Sequence, residues 1–250
     1  MGPFQANQIT YPIISRLEIG VLVIRAVVFD CDGVLSDNGS SWQMIHSSFG
    51  TGQDDQGEHQ KALEMFLDGK ISETEFVAHD IKLWREVRPD IHRDDIMRCY
   101  SGVGLIKGAR KVVENLKKRG VFVAIVSSGV DIFVSAIANM LKVDDWVANG
   151  FEWDDEGWLL GGLPTRVLTH DKGIMVEKLA RINGFEPSQI VCVGDSSTDL
   201  SMKIEGSKFI GFNPRRERAL EAFLEAGVPV VEEKDLSLIW PFIFPGEDIS

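Results

Sequence analysis

In the run Val27-Val28-Phe29-Asp30-Cys31-Asp32-Gly33-Val34 an apolar stretch stops at two aspartates separated by one residue. Carboxylates at that spacing suit nucleophilic attack by the first and proton transfer by the second. Alone the pair means little, because 38 acidic residues in 250 produce Asp-x-Asp by accident. Three later segments add complementary groups. Ser127-Ser128-Gly129 offers a hydroxyl and a small backbone whose N–H groups can surround a phosphate. Lys172-Gly173 puts an ammonium at the start of a helical pattern, and Gly194-Asp195-Ser196-Ser197-Thr198-Asp199 carries two carboxylates four residues apart. Each of these has an ordinary reading by itself: a turn, a helix-start lysine, an aspartate favoured by a helix dipole. Their company is what argues for chemistry.

Hydrolysis of phosphate monoesters is among the slowest uncatalysed reactions, with enzymatic accelerations up to about 10²¹-fold, and it needs this mixture of groups. Asp30 is the candidate nucleophile, forming an aspartyl-phosphate that splits the reaction into two easier steps. A carboxylate nears a phosphate dianion only when a hard cation bridges them, which calls for Mg²⁺ held by the side chains of Asp30 and Asp195 and the backbone carbonyl of Asp32. The Asp32 carboxylate can protonate the leaving alkoxide and later deprotonate water, work of about 10²–10⁴-fold. Lys172 steadies the negative charge, while Ser127, Ser128 and Gly129, with Thr198, hold phosphate oxygens. Asp199 orients Lys172 or a metal-bound water; Ser196 and Ser197 read as loop filler. On this reading Asp30→Asn abolishes turnover and leaves thermal unfolding unchanged.

These residues must be brought to one place by the elements around them. Val27–Phe29, Val121–Val126, Ile190–Val193 and Lys208–Phe212 are short, β-branched or aromatic runs, as expected of strands buried on both faces. Helical patterns lie between them. Ala109–Arg119 sets Val112, Val113 and Leu116 on one stripe before Gly120; Lys172–Asn183 sets Ile174, Met175, Lys178, Leu179 and Ile182 before Gly184; Arg215–Ala226 stops at Gly227. The alternation predicts an α/β protein with a Rossmann-like, doubly wound, mainly parallel sheet whose carboxyl edge carries all four motifs. Residues 45–103 are different, helical without a convincing strand. There Ser72-Glu73-Thr74-Glu75 is a capping box opening a helix through Phe76, Val77, Ile81, Leu83 and Trp84, after another around Gln60–Leu67. The expected division is an N-terminal extension over 1–22, an α/β core over 23–44 and 104–250, and an inserted helical cap domain over 45–103.

Phe29-Asp-Cys-Asp-Gly33, Val126-Ser-Ser-Gly-Val-Asp131, Lys172-Gly173 and Val193-Gly-Asp-Ser-Ser-Thr-Asp199, in that order, resemble the haloacid dehalogenase (HAD) superfamily and within it the phosphoserine phosphatase-like branch. The resemblance implies a Rossmann-like core, an aspartyl-phosphate intermediate, Mg²⁺, Asp32 as general acid and base, and a helical cap that selects the substrate. It also implies an amino-acid clamp made of a glutamate beyond the second aspartate and a cap arginine. Here Gly33–Trp42 contains Asp37 but no glutamate, and spacing does not assign Arg85 or Arg88 to the clamp, so phosphoserine stays one candidate substrate among small phosphorylated metabolites. Two alternatives stay open: a phosphotransferase or mutase, and a phospho-accepting signalling domain, although the latter is about half this length and needs no cap.

A net charge of −12 argues against nucleic-acid backbone and anionic membrane as partners. Leu17–Ile24 is interrupted by Glu18 and falls well short of the roughly 20 residues of a membrane span. Three scattered cysteines, Cys31, Cys99 and Cys192, and no visible signal peptide fit a cytoplasmic protein; a homodimer is left open. Cys31 and Cys192 read as small buried hydrophobes. Trp42, Phe49, Phe66 and Trp84 read mostly as packing between cap helices, and Gly50-Thr51-Gly52 and Gly102-Val103-Gly104 as hinges. The sequon Asn38-Gly39-Ser40 reads as inert, and the five histidines, His46, His59, His79, His92 and His170, show no ligand pair.

Overall fold

The computed structural model describes residues 23–52 and 57–249, so the expected extension over 1–22 lies outside the described residues. The apolar run ahead of Asp30 is β1 (Ala26–Phe29), every residue of it buried. Four helices follow, α1 (Ser41–Phe49), α2 (Glu58–Leu67), α3 (Glu73–Val87) and α4 (Arg93–Cys99). The chain then alternates through α5 (Ala109–Lys118), β2 (Phe122–Val130), α6 (Asp131–Leu141) and β3 (Asp145–Asn149). A hairpin, β4 (Phe151–Trp153) with β5 (Leu159–Gly162), precedes α7 (Gly173–Asn183), β6 (Ile190–Gly194) and β7 (Lys208–Phe212). Last come α8 (Glu217–Glu225), β8 (Val230–Val231) and α9 (Trp240–Ile243).

Six strands pair in the order β3-β2-β1-β6-β7-β8, all parallel. The chain moves outward from β1 in one direction and then, from β6, in the other. The order therefore reverses between β1 and β6, and open α/β sheets bind ligands at the carboxyl ends flanking such a switch. Alternate residues feed two cores. Val27, Phe29, Val123, Ile125, Val191 and Val193 face one layer, and Ala26, Val28, Ala124, Val126, Ile190 and Cys192 face the other. With both faces covered the strands read as continuous apolar runs, which is why they were visible in the sequence.

Helix α5 buries Val112, Val113 and Leu116 as expected. In α7 the expected stripe holds only in part: Leu179 is buried and Met175 half-buried against the core, but the other buried residues are Gly173, Val176 and Ala180, whereas Ile174 and Ile182 are 45% and 70% exposed. Gly173 sits against the carbonyl of Ser201, 2.6 Å from where a Cβ would lie; that close approach turns the 176/179/180 face inward. Strand β2 also runs on past Val126. Its pairing with β3 shifts between Val126 and Val130, so Ser127-Ser128-Gly129 is a bulge in an extended strand rather than a strand-to-helix turn.

Between β1 and β2 there is no strand among the described residues. The first helix opens at Ser41, with the Ser40 hydroxyl accepting from Gln43 N. The Ser72/Glu75 capping box is formed, each side chain taking the other's backbone N–H. The β4–β5 hairpin leans on α3: Arg85 donates to the carbonyls of Leu159 and Leu160, and Gly162 lies against Val77. No helix among the described residues is long and apolar enough to cross a membrane.

Candidate active site

Asp30 leaves the end of β1, its N–H donating 2.9 Å to the carbonyl of Val193 on β6, and its side chain is almost fully buried. Lys172, also buried, precedes α7 and donates Nζ to Asp30 Oδ1 at 2.9 Å and to Asp199 Oδ1 at 2.6 Å. Asp199 Oδ2 accepts from the backbone N–H groups of Asp195 and Ser196 and from the Ser196 hydroxyl. Ser196 is thus no filler: it orients the aspartate that orients the lysine. Carboxylate oxygens of Asp30, Asp195 and Asp199 all lie within 4.8 Å of one another. Gly33, at φ +79°, makes room for this, since a Cβ there would stand 2.2 Å from Asp195 Oδ2.

Three carboxylates around one ammonium leave a surplus of negative charge, and protonation equilibria register it. Burial, with Asp199 and Asp32 nearby, pushes Asp30 up to about 7 against the pull of Lys172. Burial, then Asp199 and Asp30, pushes Asp195 well above the carboxylate range, while Lys172 and Arg215 draw it back. For Asp199 burial pushes upward too, but the charge and hydrogen bond of Lys172 and the Ser196 donors hold it below the ordinary value. Burial alone would lower Lys172; its two aspartates reverse that and keep it charged. An all-oxygen donor set with uncompensated charge fits a hard divalent cation, and Asp30 and Asp195 could hold one.

The Asp32 carboxylate is held by the loop that follows it. Oδ1 accepts from Asn38 Nδ2 at 2.8 Å, and Oδ2 accepts from the N–H and the hydroxyl of Ser41 at 2.8 and 2.7 Å. The same Ser41 oxygen accepts from Val130 N at 2.9 Å, which ties the loop after β1 to the bulge of β2. Gly129 permits the approach: a Cβ on it would lie 2.7 Å from Ser41 Oγ and 2.8 Å from Asp32 Oδ2. Asn38 and Ser41 were missed in the sequence, the first dismissed with the sequon. Their signal was Ser40-Ser41 ahead of an apolar helical pattern, a helix start that also faces Asp32.

Ser127 is buried and its Oγ accepts from Gly129 N at 3.1 Å, leaving its O–H free to donate. The Ser128 carbonyl accepts from Trp42 Nε1 at 2.9 Å. Thr198 Oγ1 lies 2.8 Å from Ser196 Oγ. Asn149, at the end of β3, was not anticipated. Its Nδ2 donates to the carbonyls of Val167 and Ser128 and to Glu73, and its Oδ1 accepts from the N–H groups of Arg166 and Val167. Glu73 also accepts from the N–H and hydroxyl of Thr169, so α3 is fastened to the segment leading into Lys172. The two arginines considered for a clamp are occupied elsewhere, Arg85 on the hairpin carbonyls and Arg88 on Asp95 at 2.8 Å.

A sequence profile for haloacid dehalogenase-like hydrolases matches residues 27–202. Phosphoserine phosphatase of Methanocaldococcus jannaschii is 27% identical over 220 residues, 88% of this chain and 97% of the relative. That of Archaeoglobus fulgidus is 29% identical over 192 residues, 76% of this chain, which spans about half (53%) of that relative. Among solved structures, a substrate-bound phosphoserine phosphatase complex superposes with a TM-score of 0.69 at 26% identity, over 88% of this chain and 98% of the other. A phospho-aspartyl intermediate analogue of phosphoserine phosphatase superposes equally well, at the same identity, over 88% of this chain and 99% of that one. The chain belongs to the haloacid dehalogenase-like hydrolase family, on its phosphoserine phosphatase-like branch, and is a phosphoric monoester hydrolase.

Proposed function

We propose that this enzyme hydrolyses a small-molecule phosphate monoester by way of a phosphoryl group carried on Asp30. The observation that carries the reading is the Asp30–Lys172–Asp199 chain beside Asp195 at the sheet's switch point. Lys172 holds Asp30 Oδ1 and fixes the rotation of the carboxylate. Attack on phosphorus forms the Asp30–phosphorus bond as the ester bond breaks, and Asp32 gives its proton to the departing alkoxide. Asp32 then takes a proton from water, whose oxygen displaces Asp30 and releases inorganic phosphate. Asp30 and Asp195, with the Asp32 carbonyl, would hold a Mg²⁺ ion, whose positive charge would let a carboxylate meet a phosphate dianion. Ser127, the bulge N–H groups and Thr198 receive phosphate oxygens.

The helices within 45–103, with α1 opening at Ser41, serve as the cap. Supporting this are the two places where they touch the catalytic loops, Trp42 on the Ser128 carbonyl and Glu73 on Thr169 and Asn149. Phosphoserine is the first substrate to test, given the relatives' names, although the lack of a glutamate in Gly33–Trp42 and the engagement of Arg85 and Arg88 elsewhere leave its amino and carboxyl groups without the clamp that the resemblance implies. The test is release of inorganic phosphate from a panel of phosphorylated metabolites, with Mg²⁺ and with chelator. Many turnovers, abolished by chelator, are expected. A stoichiometric acyl-phosphate that never turns over, or phosphate passed to a second alcohol, would overturn the reading.

A further inference from the structure

A second cluster of ligand-type side chains lies in the helical layer, distinct from the aspartates above. His46 on α1, His59 on α2 and Asp80 on α3 offer nitrogen and oxygen atoms within 4.8 Å of one another. His46 and Asp80 are fully buried, and the His59 side chain is only 11% exposed. His59 Nδ1 lies 2.9 Å from Asp80 Oδ1, and His46 Nε2 lies 3.1 Å from Asp80 Oδ2. That second approach lacks hydrogen-bond alignment: His46 Nε2 and Asp80 Oδ2 are both buried without a hydrogen-bond partner, as is His79 Nδ1, 3.9 Å from Asp80 Oδ1. Unmade hydrogen bonds on buried polar atoms are costly and call for an explanation. Two such nitrogens face one carboxylate that itself has an unpartnered oxygen, and a cation among them would satisfy all three.

From this geometry we propose that His46, His59 and Asp80 form a binding site for a borderline divalent transition metal of the Zn²⁺ type, which pins the three helices together. Two imidazoles and one carboxylate suit Zn²⁺, whereas the all-oxygen aspartate cluster suits Mg²⁺, so the two sites are chemically separable. Each ligand comes from a different helix, and His79 is the nearest further nitrogen for the fourth position. Ligation needs a neutral imidazole and an ionised carboxylate. Metal on Nε2 places the remaining His46 proton on Nδ1, where the Thr51 hydroxyl waits at 2.8 Å as the outer acceptor such ligands use. In the structure Trp84 Nε1–H also points at this Nδ1, from 3.2 Å. Loading therefore turns the indole away, and Trp84 becomes a reporter. The competing arrangement is a metal-independent one, with Asp80 held between two imidazole N–H groups and Trp84 donating to His46.

The test uses the full chain, stripped with chelator and dialysed against Zn²⁺ in excess Mg²⁺, with bound zinc counted by elemental analysis. Wild type and Asp195→Asn should each retain one zinc per chain, with thermal unfolding raised by several degrees and tryptophan emission changed. His59→Gln, a partly exposed position chosen to preserve folding, should lose the zinc and both shifts. Zinc bound equally by wild type and His59→Gln, or no zinc retained by wild type, overturns the proposal in favour of the hydrogen-bonded trio. Zinc lost only in Asp195→Asn overturns it too, by placing the ion at the aspartates, and leaves the phosphatase reading standing.

Discussion

Replacing Asp30 by Asn tests the electrostatics of the site as well as its chemistry. A carboxyl held at about 7 instead of 3.8 costs the folded enzyme up to about 4 kcal/mol once the pH is above both values, at ~1.36 kcal/mol per pH unit of displacement. The sign follows from proton binding. Below 3.8 the group is protonated in both states; between 3.8 and 7 only the folded state keeps its proton, so stability falls as pH rises and levels off above 7. Asparagine removes that term. Its oxygen can still accept from Lys172, while its amide lacks a partner, a loss of about 1–3 kcal/mol. The net expectation is a variant about 1–3 kcal/mol more stable than wild type above pH 7 in chelator, or about 3–10 °C in unfolding temperature for a chain of this size. Toward pH 3.8 the advantage disappears, and Mg²⁺, by offsetting the charge in wild type, narrows it. The sequence alone expects unchanged unfolding; burial is what changes the forecast. Calorimetry across pH, with phosphate release measured in parallel, is the assay. Retained turnover would remove Asp30 from the nucleophile's role, and a variant no more stable than wild type at high pH would refute the burial argument.

Ser41→Ala deletes the hydroxyl that donates to Asp32 and accepts from Val130, and should lower kcat about 10–100-fold, at ~1.5–3 kcal/mol for a bond to a charged group, with KM little changed in steady-state kinetics. Gly129→Ala puts a methyl 2.7–2.8 Å from Ser41 Oγ and Asp32 Oδ2 and should reduce kcat more than tenfold by about the same energetics; unaltered kinetics would show that the bulge can give way. Asn149→Ala leaves the N–H groups of Arg166 and Val167 and the Val167 carbonyl without their partner and should destabilise by about 2–3 kcal/mol in denaturant titration.

The strands were legible because burial on both faces writes itself as apolar runs, and three of those runs end at or beside Asp30, Ser127 and Asp195, the polar residues proposed for the chemistry. The α7 stripe was misread at Ile174 and Ile182, which are apolar yet exposed, because sequence does not show which face Gly173 docks. The bulge at Ser127–Gly129 was invisible, since only its pairing with β3 distinguishes it from a turn. Likewise Asn38, Ser41, Ser196 and Asn149 are ordinary polar residues whose importance lies in what they touch across the fold. The His46–His59–Asp80 cluster escaped for the same reason: its members are spread over three helices and meet only through the packing of α1, α2 and α3.

Glu73, the first residue of α3, fastens that helix to Thr169 and Asn149 just before the backbone delivers Lys172. A rigid-body shift of α3 away from the sheet must rupture those bonds and slacken the tether on the ammonium that neutralises Asp30 and Asp199. On the cap reading proposed above, admitting substrate by moving α3 would thus also loosen the segment that delivers Lys172.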